Sequence, residues 1–146
     1  MNLDTLFNIT CLIAAIGWII LIFVSPFWTG FDKFLIGIII AILALAYTYL
    51  NASNFDPTIL TKFSTLQGIK ELYQNDALVL AGWEHFLVFD LIVAVWIKKN
   101  SLKHGIKHLA IIPAIIFTCL LAPLGFLIYL ITRWLKTKNY FADNGA

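Results

Sequence analysis

Glu84, His85 and Asp90 are three ionisable side chains inside one apolar stretch, Gly82-Trp83-Glu84-His85-Phe86-Leu87-Val88-Phe89-Asp90. Imidazole exchanges protons near neutral pH, and a carboxylic acid kept from water can stay protonated and donate. Together they supply acid–base chemistry. A charge at mid-membrane costs about 3 kcal/mol on insertion scales, so such groups face a ligand, a protein interior or each other. At about 100° per residue, Asp90 lies ~140° from His85, on the side of Trp83, and Glu84 points away from the arc between them. One helix cannot bring all three to one point.

A second set follows in the last apolar run: Thr118, Pro123, Gly125, Tyr129 and Arg133. Gly125, Tyr129 and Arg133 recur every four residues and share one helical face. Gly125 permits close approach of a helix or ligand. Pro123 removes a backbone donor and exposes the carbonyl of Cys119. As one helix antiparallel to its predecessor, this run puts Gly125 and Tyr129 beside Glu84 and His85, and Arg133 near the surface that holds Asp76. The structural alternative for these residues is interhelical hydrogen bonding.

The elements that must position them are legible from composition. Of 146 residues, 61% are hydrophobic and 12% charged, whereas soluble domains are about a quarter charged. Apolar runs at residues 6–24, 34–50, 77–97 and 109–135 are near the ~20 residues that span a bilayer. They are continuous rather than alternating, which favours helices over barrel strands. The expected fold is an all-α membrane protein: one domain of four transmembrane helices. Residues 1–10 hold no Lys or Arg, which argues against a cleaved signal peptide.

Between spans two and three, Asp56-Pro57 reads as a helix start. Ile59, Phe63, Leu66 and Tyr73 then share a face, with Lys62 and Lys70 intruding. The expectation is one short amphipathic surface helix over residues 56–72. Residues 98–108 read as a solvated basic loop. His104 and His108 stand four apart, but no third ligand is adjacent, so no metal is expected. Cys11 and Cys119 read as small buried hydrophobes. A net charge of +2 excludes nucleic acid as a partner and leaves membrane lipids. Four spans would put five Lys and Arg on each side, so orientation is nearly tied under the positive-inside rule, with a lean to cytoplasmic short loops.

The pattern Gly82-Trp83-x-His85-x-x-x-Phe89-Asp90-Leu91, Trp96-Ile97, Gly105-Ile106-x-His108 and Pro123-x-Gly125-x-x-x-Tyr129-x-x-x-Arg133 resembles the abscisic-acid-deficient-four-like family of small four-span membrane proteins. Its plant members are tied to making neoxanthin from violaxanthin. Asn100 and Ala122 depart from the pattern, where an acidic residue and a glycine are usual. The resemblance implies a carotenoid isomerase that needs no cofactor: an epoxide opens while a proton leaves a neighbouring carbon, giving an allene. His85, with Glu84 or Asp90, would be catalytic. Trp83, Gly125, Tyr129 and Arg133 would hold a carotenoid or similar isoprenoid. A chain rich in Ile, Lys and Asn suggests a bacterial inner membrane. Two other readings stand: a proton-coupled transporter titrating Glu84 or Asp90, and a non-catalytic scaffold or pigment-binding subunit. Oligomeric state is not legible.

Overall fold

The computed structural model describes residues 2–138, which are helical with no strand among them. Three helices are long and apolar enough to cross a membrane: α1 (Leu3–Val24), α2 (Phe31–Ser53) and, after two short helices, α5 (Asp76–Lys103). The short ones are α3 (Ile59–Phe63) and α4 (Leu66–Leu72). Last come α6 (His108–Leu120) and α7 (Ala122–Thr137).

Helix starts follow from side-chain caps. Asn2 accepts from the Asp4 amide to open α1, and Asn75 accepts from Ala77 to open α5, each satisfying a donor the first turn leaves free. α1 and α2 contain wider π turns at Ile20–Val24 and Leu35–Ile40. α5 is central. Its Leu91, Ala94 and Ile97 are fully buried with Leu21, Leu35 and Leu43 from α1 and α2 and Ile111 and Ala114 from α6.

Several expectations are corrected. The surface helix over residues 56–72 is two helices, broken at Ser64–Thr65. Thr65 caps the Gly68 amide at 3.0 Å, and Gly68 lies so close to the Lys62 backbone that a Cβ there would collide with it. Lys62 pairs with Asp56 at 2.6 Å.

The fourth run, residues 109–135, is not one spanning helix. It breaks at Leu121 (φ −151°, ψ 82°), and α7 folds back along α6. Gly125 is pressed against Thr118 and the Ala114 carbonyl, contacts that a continuous helix, rising about 1.5 Å per residue, would place about two and three turns apart. Pro123 therefore does not kink a helix and free a carbonyl. It sits in the first turn of α7, where its missing N–H costs nothing.

The hairpin enters and leaves at one end of the molecule. His108 accepts from Lys98 Nζ through Nδ1 (3.0 Å) and faces the Ile22 carbonyl with Nε2 (2.8 Å); a carbonyl only accepts, so Nε2 carries the proton. Arg133 Nη1 and the Tyr129 hydroxyl both donate to Asn100 Oδ1, at 3.1 and 2.6 Å. Ile22, Lys98, Asn100, His108 and Arg133 thus share a level. Arg133 does not lie near Asp76, which is at the far end of α5. The basic segment at residues 98–108 is mostly helix: α5 runs to Lys103, and Lys98 is 2% exposed.

Candidate functional site

Helical geometry divides the three ionisable residues among three environments. Glu84 points into the bundle and has no exposure. Neither of its carboxyl oxygens has a hydrogen-bond partner among the described residues. The Thr10 hydroxyl of α1 is its polar neighbour and is itself donating to the Leu6 carbonyl at 2.9 Å. That hydroxyl retains lone pairs for a protonated Glu84.

His85 does not face the bundle interior, as a buried site would require; it is exposed. It stacks on Phe89, with centroids 4.6 Å apart, and meets Tyr47 of α2. It lines a groove of about 360 Å³ beneath α3 and α4, where Asn51, Phe63 and Tyr73 are further walls. The break between α3 and α4 lets the short segment bend over this groove.

Asp90 is half-buried and lines a larger cavity, about 790 Å³, between α1, α5 and the hairpin tip. Trp18, Trp83, Phe86 and residues 119–123 supply most of the remaining wall. Its rim is open where Ile19, Phe86 and Leu120 are exposed. Both cysteines line it: Cys119 is exposed and Cys11 partly so, so neither is the buried hydrophobe expected. Cys11 Sγ accepts from Trp83 Nε1 at 3.3 Å. Trp83 also walls a cleft at the start of α1, beside Asp4 and Asp76, and so stands between that cleft and the cavity.

Gly125, Tyr129 and Arg133 are the buried residues of α7, as their spacing predicts. They do not share a layer with Glu84 and His85. The reversal at Leu121 carries them toward the end of α5, where the Tyr129 ring packs edge-on to Trp96, centroids 5.7 Å apart. There they serve to seat the hairpin. Asn100, a departure from the expected acidic residue, is the acceptor that anchors both Tyr129 and Arg133. Its position in the sequence gives it no role by itself; Tyr129 and Arg133, two donors on one face of a later helix, are the available signal. The cavity wall at residues 119–123 had no such signal.

A family model described as ABA DEFICIENT 4-like matches residues 5–129. No curated protein and no solved structure matches the chain.

Proposed function

The chain belongs to the ABA DEFICIENT 4-like family, and on that premise we propose that it binds and isomerises the oxygenated end of a carotenoid or similar long isoprenoid within the bilayer. The observation that carries this reading is the cavity of about 790 Å³ in which, among the described residues, Asp90 is the one carboxylic acid of the wall. Ligand sites are commonly apolar spaces of roughly 300–1,000 Å³ with a few placed polar groups. An open rim of Ile19, Phe86 and Leu120 admits the end of a polyene from lipid while the rest stays outside.

Asp90 is the proposed acid–base group. Its carboxyl donates a proton to the epoxide oxygen as the C–O bond opens. The resulting carboxylate takes the proton from the neighbouring carbon, whose C–H electrons complete the allene. Atoms balance, and no redox partner enters. Trp83 and Phe86 flank the polyene. His85 and Glu84 lie outside this cavity's wall, so their catalytic roles rest on the motif alone. In a bacterial cell the bilayer is the inner membrane.

The test is expression in a carotenoid-producing bacterial host, with chromatography of the extracted pigments. New product is expected from an epoxidised carotenoid, at least 100-fold reduced by Asp90→Asn, the scale of losing a general acid–base group. No product and no co-purifying pigment across epoxidised, hydroxylated and unmodified carotenoids would sink the reading. One observation favours proton-coupled transport instead: a helix broken beside a mid-span carboxylate is how many transporters build substrate sites. Solute uptake that collapses with the proton gradient, with no pigment chemistry, would select it.

A further inference from the structure

The hairpin changes the charge balance between the two ends of the molecule. A fourth span would carry Arg133, Lys136 and Lys138 to the end that holds Asp76. Folding back keeps them at the His108 end. Of the ten Lys and Arg in the chain, only Lys62 and Lys70 lie at the Asp76 end, beside Asp4, Asp56, Glu71 and Asp76. The other eight lie at the His108 end, where Asp32 is the one acidic residue among the described residues. Six of the eight are exposed: Lys33, Lys99, Lys103, Lys107, Lys136 and Lys138. They come from the starts or ends of α2, α5, α6 and α7. Lys99 reaches Asp32 at 2.6 Å and ties α5 to α2.

We infer that this end is a basic collar that docks on the anionic phospholipid headgroups of one leaflet, fixing the chain with its first residues on the opposite side of the membrane. Lysines at helix ends keep their stems in the apolar layer and their ammonium groups among phosphates. The cytoplasmic leaflet holds the anionic lipid and attracts flanking Lys and Arg. Eight against two decides an orientation that five against five did not. Trp28 and Trp134, both exposed at this end, suit the headgroup layer. Lys138 lies over the Trp134 ring, 5.8 Å from its centroid.

Single cysteines placed in a Cys11→Ala, Cys119→Ala background test the topology in intact bacterial cells. A membrane-impermeant maleimide is expected to label Ser53→Cys from outside, and Leu102→Cys and Lys136→Cys only after permeabilisation. Labelling of Lys136→Cys together with Ser53→Cys would overturn the hairpin topology. Labelling of Leu102→Cys from outside would overturn the orientation. Docking has its own readout. In vesicles of mixed phosphatidylglycerol and phosphatidylcholine, brominated phosphatidylglycerol should quench tryptophan emission more than brominated phosphatidylcholine does, and added salt should remove the preference. Replacing the six exposed lysines by Gln should abolish it, while replacement by Arg should keep it. Equal quenching by both lipids in the unaltered protein would overturn the docking. None of these outcomes depends on pigment conversion.

Discussion

The two spaces flanking α5 differ in what builds them. The His85 groove is walled by α2, α5 and a short bent segment, and its polar groups, Tyr47, Asn51, Tyr73 and His85, come from all three. The Asp90 cavity is walled by α1, α5 and a hairpin tip that stops partway along the bundle, and it is otherwise apolar. Five residues of one helix separate His85 from Asp90, yet they share no wall except Phe86, which lines both spaces. Adjacency in a motif therefore does not make one acid–base pair. A single reaction centre can use His85 or Asp90, not both at once, unless α5 turns.

The largest effect that separates the two spaces is expected at Gly125. A Cβ there would collide with Thr118 and the Ala114 carbonyl. Gly125→Ala should force α7 from α6 and cost on the order of 1–3 kcal/mol or more, lowering the melting temperature in detergent. Cys119 at the displaced tip should react faster with maleimide. The His85 groove, which takes no wall from the hairpin, should be untouched. Equal loss of order in α3 and α4, read by hydrogen exchange, would break the comparison.

An effect of similar size, without the upper tail of a backbone collision, is expected at Asn100, the acceptor for both Tyr129 and Arg133. Asn100→Ala should cost about 1.5–3 kcal/mol, the range for a hydrogen bond to a charged group. The hairpin base should loosen before its tip does. Asn100→Asp, which restores an acceptor, should recover most of the loss. If Asn100→Ala melts like the unaltered protein, the base is held by packing alone.

The smallest effect concerns the other space and is read in pH. Hydrogen bonds from Lys62 and Thr58 hold the Asp56 carboxyl well below the usual carboxylate range, and Asp56 in turn raises Lys62. A depressed carboxyl contributes stability that is present above its unfolded value. That contribution is lost as pH falls below about 4 and protonation becomes favourable in the unfolded chain. The raised lysine contributes below its own unfolded value and loses that only in strong alkali. The amides of α3, corrected for intrinsic rates, should therefore exchange modestly faster at pH 3 than at pH 6, and Asp56→Asn should remove the difference. The pair is partly open to solvent, with side chains 31% and 32% exposed, which keeps the effect small. Acid loosening at the hairpin rather than at α3 would reverse the assignment.

Hydropathy alone placed α1, α2 and α5, because a helix in lipid must be apolar over a bilayer's thickness whatever its neighbours do. Four-residue spacing alone put Gly125, Tyr129 and Arg133 on the buried face, since a straight helix repeats that face regardless of direction. Direction is what the sequence left open. A run of apolar residues has the same composition whether it continues or turns back at Leu121. Only the fit of Gly125 against Thr118, and the reach of Tyr129 and Arg133 to Asn100, selected the reversal. Tyr129 and Arg133 lie 29 and 33 residues from Asn100, and Gly125 meets Thr118 only once the chain has turned, so no helical periodicity encodes either contact. From that reversal came the wall beside Asp90, the separation of Arg133 from Asp76, and the gathering of eight basic residues at one end.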